Sequence, residues 1–474
     1  MAVATGESRP RRGLAGGRRV HVGGAALGLG ILAGGAVAVG GWAGGGMLAA
    51  LSGVGLVCAV DEPTSVLLFV LALIFVDRSP VVVHQSYVRL YQIFSLPICV
   101  KWALLRIGRR ERVIVPRGWL WPLLWIATFG LAWPHLISRT NFFVELVGMG
   151  YLLLLGVVVG DVVARHHILT QAVDAMTWSG LLVTGSGLVQ YGLFLAHVLH
   201  PVTYGGFVRP YGFMREPDWY AVVCGLTVVL LLHRRTRWPP GVYRALLVAA
   251  VAGLLASLAR AAWLATAAAV LVLALAPGPD RTAARRLIAA VVLSLAGGAV
   301  LLSLVDGGLM MKLLGRLTPL ASGQAAAAHE LAAQAWASRL GSLQLMWSLF
   351  TIHPWTGNGA GVMGKLSLAV SMDRLYAGGG ALNTGRAAAN VFLSQMASVG
   401  VAGLVPFLLW LGSALRGGFR QGTWLGAVLV LCLIDFQFNS GTGFGFFWVF
   451  MALAGISDQA RQPEQGAAHV LRVP

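Results

Sequence analysis

The sequence predicts an all-α protein: a polytopic transmembrane helical bundle of about 12–14 spans, with a large extracytoplasmic helical loop between its late spans. Three observations carry that expectation. Of 474 residues, 57% are hydrophobic and only 11% are charged, against roughly 25% charged in soluble globular domains. The apolar residues are gathered into long runs, and the basic residues stand in short clusters between those runs. Gly, at 62 residues, is abundant without a Gly-X-Y period, which suits close helix approach inside a bilayer. A net charge of +18 would point a soluble domain toward nucleic acid; here the position of the cations follows topology, and no nucleic-acid partner is expected.

The elements follow in order. Residues 1–21 form a basic tail, Arg9 to Arg19. It has the look of a signal-peptide n-region, but no cleavage-type boundary follows and many spans come after, so it is read as a cytoplasmic tail. Apolar runs that cross, or nearly cross, a core of about 30 Å lie at 22–41, 44–60, 63–77, 88–107, 118–136, 143–164, 174–199, 218–233, 241–257, 260–276 and 285–304, and again at 391–411, 422–436 and 441–457. The bundle therefore has a first part, 22–304, and a C-terminal part, 391–457, separated by an extracytoplasmic segment, 305–390, and followed by a cytoplasmic tail, 458–474. With the first tail inside, 22 of the 35 Lys and Arg fall on the cytoplasmic side, including Arg106 to Arg117, Arg165, Arg234 to Arg244, Arg281 to Arg286 and Arg416 to Arg420. That bias is the positive-inside rule, and a shift of one span would invert it in the second half of the chain. Within 305–390, the Ala-rich stretch Gln324 to Ala337 and the run Leu340 to Ile352 look helical, while Gly357 to Gly361 and Gly378 to Gly380 break the chain; a small helical cap over the outer face is expected. Cys58, Cys99, Cys224 and Cys432 all lie inside apolar runs and read as packing residues, not as a disulfide or metal framework.

Cations on the outer side run against the charge rule, so Arg209, Arg215, Arg260, Arg339 and Arg386 each need a reason. One such Arg alone is as well explained as an interfacial anchor snorkelling to headgroups. Several together, with few outer carboxylates, favour a polyanionic ligand, because guanidinium forks match phosphate oxygens. Arg209 and Arg215 flank Pro210-Tyr211-Gly212-Phe213-Met214, and Arg260 closes Ser257-Leu258-Ala259-Arg260 at the mouth of a span. Glu216-Pro217-Asp218-Trp219 follows directly on Arg215. A carboxylate there has the chemistry to take a proton from a substrate hydroxyl; equally, Asp218 is placed to cap the helix that Pro217 opens. Gly359-Ala360-Gly361-Val362-Met363-Gly364 spells G-x-G-x-x-G without a preceding strand or a βαβ unit, so no dinucleotide is expected. His166-His167, His329 and His353 lack ligand spacing, and His353-Pro354 reads as a helix end. No cofactor and no metal are expected.

These features, in this order, resemble the O-antigen ligase and O-antigen polymerase superfamily of polyprenyl-pyrophosphate-dependent membrane glycosyltransferases. The resemblance rests on the loop Arg209 to Trp219, the Ser-x-x-Arg turn Ser257 to Arg260, the His-Pro-x-x-Gly-x-Gly segment His353 to Gly359, and a helix that opens at Asn390 and turns at Gly400 to Gly403. It covers roughly 140–457. It implies a GT-C-like bundle in the bacterial inner membrane with its site on the periplasmic face. A glycan would move from a polyprenyl-pyrophosphate donor to a glycan or lipid-linked glycan acceptor, among membrane lipids. Glu216, Arg215 and Arg260 would be catalytic, and Arg209, Asp218, Arg339, His353, Arg386 and Asn390 would bind substrate. Two positions depart from the family's pattern. Ala389 stands where ligase-type members place His, so that either the chemistry rests on Glu216, as the Glu-Pro motif of many polysaccharide polymerases implies, or the chain is an inactivated variant; Glu216 and the missing His together favour a surface-polysaccharide polymerase over an O-antigen ligase, and Asp218 stands where Asn is commoner. A flippase for the same lipid-linked glycan is the rival from another class, although internal repeats and mid-span ionisable groups, expected of transporters, are not evident in the sequence.

Overall fold

Apolar runs with few interruptions fold into helices because each backbone N–H and C=O is then satisfied within its own segment. The computed structural model describes residues 59–75, 81–83, 86–88, 90–136, 139–198, 203–204, 207–214, 216–278, 280–292, 341, 343–359, 390–439 and 444–456. The tails 1–21 and 458–474, the run 22–41, most of 44–60, most of 305–390, and Arg215, Arg339, Arg386 and Ala389 lie outside the described residues.

Within them the protein is all-helical. In chain order the helices are α1 (Glu62–Phe75), α2 (Leu90–Arg109), α3 (Leu120–Thr128), α4 (Arg139–His166), α5 (Leu169–Leu195), α6 (Pro217–His233), α7 (Pro240–Ala256), α8 (Arg260–Leu275), α9 (281–292), α10 (Leu343–Ile352), α11 (Val391–Gln421), α12 (Thr423–Asp435) and α13 (Gly445–Gly455). Two short antiparallel hairpins qualify the all-α expectation: β1 (Val81–Val83) pairs with β2 (Ser86–Val88), and β3 (Thr203–Tyr204) with β4 (Phe207–Val208). Both lie in connections that the charge rule puts on the outer side.

Helix lengths differ from the runs that predicted them. Two helical stretches among the described residues, Phe142–His166 and Val391–Gln421, are long and apolar enough to cross a membrane; α2 and α5, with 20 and 27 residues, have the length without the hydropathy, and the shorter apolar helices have 10–17 residues, fewer than the roughly 20 that a full crossing uses. The run 118–136 is divided. Its α-helix stops at Thr128 and a 3₁₀ turn, Phe129–His135, carries the chain past Pro134, whose missing N–H cannot serve an α-helical ladder.

The centre of the bundle is α6, buried from Trp219 to Leu232, as a helix that is apolar all round must be. It packs on α5, α7, α8 and α12. Tyr220 is accommodated where α5 carries Gly187, since a Cβ there would stand 2.2 Å from the Tyr220 ring. A second centre joins α3, α11 and α13 through Trp125, Phe407, Trp410, Phe447 and Trp448, with Trp119 against its edge.

Helix α11 is broken at Gly400, which has φ +61° and ψ −164°. The break strands backbone groups on both sides, and the segment after α10 satisfies them. Asn358 N–H donates to Ala397 O (3.0 Å) and Gly359 N–H to Ser398 O (2.9 Å), while Val401 and Ala402 donate to Pro354 O (2.8 Å) and Trp355 O (3.2 Å). Buried Asn358 adds two bonds from its amide nitrogen, to Leu349 O (2.8 Å) and Ala397 O (3.0 Å). The backbones meet so closely that a Cβ on Gly400 would lie 2.4 Å from the Trp355 carbonyl carbon. The His-Pro-x-x-Gly-x-Gly segment and the Gly-x-x-Gly turn are thus two halves of one joint.

Candidate active site

Of the residues singled out for chemistry, Arg209, Glu216, Asp218, Arg260 and Asn390 lie at the end of the bundle where α6, α8 and α11 begin and α12 ends. The chain reaches it through the loop after β4, which is pinned twice. On α5, Gln190 Oε1 accepts from Tyr211 N–H (3.0 Å) and Gly212 N–H (2.9 Å). Gly212 has φ +53° and sits so close to α5 that a Cβ would lie 2.7 Å from Ser186 Oγ. On the far side, Arg209 Nε donates to Ser257 O (2.5 Å) and its Nη2 to Asp218 Oδ1 (2.5 Å).

Arg209 therefore welds the first turn of α6 to the Ser-x-x-Arg turn between α7 and α8. That turn is itself tight: Ser257 Oγ donates to Leu254 O (2.5 Å) and accepts from Ala259 N–H (3.2 Å), and Leu258 takes φ +55°, a conformation that branched side chains rarely adopt. Arg260, the first residue of α8, projects from it exposed, with no ion pair or hydrogen bond among the described residues.

Glu216 is the N-cap of α6 in extended conformation (φ −128°, ψ 143°), and Pro217 opens the helix behind it. Its carboxylate is half-buried and makes no hydrogen bond or ion pair among the described residues. The N-cap position expected of Asp218 is corrected: the N-cap of α6 is Glu216, whose side chain makes no cap bond, and Asp218 lies in the first turn with its carboxylate paired to Arg209. An ion pair to a guanidinium is the stronger bond for it. Arg209 is likewise committed to protein partners, which leaves Arg260 as the described guanidinium available to an anion.

A segment that sequence reasoning does not single out completes the site. Asp435, the last residue of α12, is fully buried, and both of its oxygens accept from Asn439 Nδ2 at 3.1 Å. Trp219 covers the neighbouring wall, packed against Phe444 at 3.7 Å between ring centroids. Asn390 joins the same segment: its Oδ1 caps α11 by accepting from Leu393 N–H (3.0 Å) and its Nδ2 donates to Gln437 Oε1 (2.9 Å). Both ends of that amide are in use within the protein. The available sequence signal is Asp435, Gln437 and Asn439 alternating with Phe436 and Phe438 at the end of an apolar run. His353 is placed at the α11 joint, where its carbonyl accepts from Gly357 N–H (2.8 Å). Arg215, Arg339 and Arg386 lie outside the described residues. No three His, Cys, Asp or Glu among the described residues stand together as metal ligands would.

A second charge cluster lies at the other end of α4 and α13. Arg106, 4% exposed, pairs with Glu62 (2.7 Å), Asp161 (2.7 Å) and Glu111 (3.1 Å). Asp161 is fully buried and also accepts from Trp102 Nε1 (2.8 Å), Ile114 N–H (2.7 Å) and Arg165 Nη2 (3.2 Å). Helix α13 connects the two regions: Phe444, before its first residue, packs on Trp219, and Ile456, after its last, approaches Gly160, one residue before Asp161.

No protein-family model matches the chain, and no curated protein matches its sequence.

Proposed function

We propose that the protein is a multi-pass membrane glycosyltransferase of the bacterial inner membrane, moving a glycan from a polyprenyl-pyrophosphate donor to a glycan hydroxyl on the periplasmic side, as a surface-polysaccharide polymerase. The observation that carries this reading is the pairing pattern at the mouth. Arg209 and Asp218 neutralise each other and fix the loop, and they leave Glu216 and Arg260 free of protein partners among the described residues. A carboxylate and a guanidinium held ready at one site suit a reaction with a proton to take and an anion to release.

In that reaction Glu216 accepts the proton of the acceptor hydroxyl as its oxygen attacks the anomeric carbon. The bond from that carbon to the pyrophosphate oxygen breaks with inversion, and polyprenyl pyrophosphate leaves. Arg260, joined by Arg215 and by Arg339 and Arg386 from the cap, meets the charge that develops on the leaving group. Hydrogen bonds between charged groups contribute about 1.5–3 kcal/mol each, so two or three guanidinium groups suffice for a large effect.

Multi-pass topology has independent support. Ion pairs between different connections join two that the charge rule assigns to the same side: Glu62 with Arg106 and His166, Arg165 with Glu111, Asp174 with Arg234 and Arg237, and His233 with Asp280. The filled joint at Gly400 weighs against a flippase, because transporters present the free backbone ends of broken helices to substrate and here the ends on both sides of the break are bonded to protein.

The test is incubation of purified protein with lipid-linked oligosaccharide. Longer lipid-linked chains support the polymerase, transfer onto a lipid core alone would favour the ligase, and no glycosyl transfer to either acceptor overturns the reading. Orientation has its own check. A cysteine replacing Ala327 should react with an impermeant reagent in intact cells and one replacing Arg235 should not; the reverse pattern sinks the topology and the site together.

A further inference from the structure

We propose that Gln190 is a positioning residue for the transfer, one that holds the loop carrying Glu216 against α5 through its side-chain oxygen. The inference rests on the glycosyltransferase reading for its consequence, and on geometry alone for its mechanism.

The loop between β4 and α6 has to present Glu216 from a backbone with little regular hydrogen bonding of its own. Its turn closes through Met214 N–H to Tyr211 O at 2.8 Å. That bond leaves the N–H groups of Tyr211 and Gly212 pointing at a helix whose own N–H and C=O groups are already paired. Two adjacent donors facing a helix need an acceptor from a side chain. Gln190 Oε1 supplies it, taking both at 3.0 and 2.9 Å, and a carbonyl oxygen has the two lone pairs this requires. The turn is then trapped. Gly212 at φ +53° lies against Ser186 and Gly187 with no room for a side chain, and Tyr211 leans on Phe194 at 6.4 Å between ring centroids. Arg209 fixes the loop's other edge to Ser257 and Asp218. Glu216, four residues beyond Gly212, lies between these anchors and the start of α6. Removing the Gln190 acceptor frees the side of the loop that Arg209 does not hold. A misplacement of about 1 Å at a reacting group is enough to cost on the order of 100-fold in rate.

Two substitutions separate the acceptor from the volume. Gln190→Met keeps the length and removes the acceptor, whereas Gln190→Glu keeps an oxygen for both N–H groups. Hydrogen–deuterium exchange on a peptide covering Arg209 to Glu216, measured on the full-length protein, reads the pin directly and needs no activity. Transfer kinetics read its consequence. The Met variant should exchange at least tenfold faster in that peptide and lose at least tenfold in kcat, with KM for the lipid-linked donor within twofold. The Glu variant should match the unmodified protein in both. Exchange unchanged in the Met variant overturns the pin. Faster exchange with full kcat overturns the positioning role, as does a Glu variant as impaired as Met. An equal fall in kcat accompanied by general unfolding and faster exchange throughout α5 would mark Gln190 as a packing residue and also sink the proposal. If the unmodified protein transfers no glycan, the proposed function and the positioning role of Gln190 both fail, and unchanged exchange in the Met variant would remove the loop anchor as well.

Discussion

At the Arg106 end of the bundle, Arg106 has three carboxylate partners and Asp161 accepts from four donors. At the Arg209 end, one pair is matched, and a carboxylate and a guanidinium beside it, Glu216 and Arg260, have no protein partner among the described residues. Both clusters are built from side chains that the sequence puts at helix ends, so composition does not distinguish them. Completeness does. A buried charge is tolerated when it is paired and hydrogen-bonded, and Arg106 and Asp161 are so fully paired that they have little left for a ligand. The Arg106 cluster ties helices together, and the Arg209 cluster is the one to which the proposed function assigns substrate.

The largest effect that tests this contrast is at Glu216. Glu216→Gln should lower transfer by roughly 100- to 10,000-fold, the range that general acid–base groups contribute, with donor binding and thermal stability within error of the parent. Arg260→Ala should weaken donor binding as well as transfer, because a cation on the pyrophosphate contacts ground and transition states alike. Near-normal transfer by Glu216→Gln would move the base to Asp218 or Asp435, and activity in all three carboxylate variants would remove the base from this mouth.

The opposite signature is expected at the other end. Asp161→Ala leaves Arg106 buried with a partner missing, and breaking a buried pair typically costs about 3–5 kcal/mol. The melting temperature in detergent should fall steeply while transfer per folded molecule is unchanged. A stable Asp161→Ala protein that had lost transfer would erase the distinction between the clusters.

The Arg209–Asp218 pair belongs to the open cluster but is itself matched, so its coupling should be structural. A double-mutant cycle with Arg209→Ala and Asp218→Ala should return about 1.5–3 kcal/mol between them. Independent effects would mean that Arg209 is available to substrate after all, as the sequence alone suggests.

Much of this is legible in the chain, and the parts that are not have physical reasons. The helices α6, α7, α8, α12 and α13 fall within a few residues of the apolar runs that predict them, because such runs have one way to satisfy their backbone. The loop Arg209 to Trp219 and the Ser-x-x-Arg turn stand out in the sequence and are neighbours in the fold, since cations that run against the expected charge rule are rare enough to notice. What the sequence does not disclose is pairing. Arg209 and Asp218 are nine residues apart and look like a binding cation and a cap, until folding puts Ser257 O beside one and leaves the other facing its guanidinium. Asp435 escapes notice because a lone acid at the end of an apolar run looks like a boundary, and its burial depends on Asn439 one turn later. The joint at Gly400 is half visible: the glycines announce a turn, but the donors and acceptors that complete it come from 354–359 and share no local pattern with it.

The smallest effect concerns Asn390, which the family resemblance gives to substrate and the geometry gives to the protein. Its oxygen caps α11 and its nitrogen holds Gln437, so each half of the amide can be removed separately. Asn390→Asp keeps the capping oxygen and exchanges the Gln437 donor for an acceptor, while Asn390→Ala removes both. Loss of an N-cap costs about 1 kcal/mol, so the Ala variant should melt a few degrees lower and the Asp variant less so, the new carboxylate being favourable at a helix N-terminus. Transfer by folded protein should stay within about threefold in both, since a loss of that size corresponds to less than about 1 kcal/mol and is what a slight loosening of the α11–α12 contact would give. A collapse of transfer in the Asp variant at unchanged stability would place Asn390 with Glu216 and Arg260. A half-buried amide with both ends bonded would then be reporting the resting state alone, with substrate displacing Gln437.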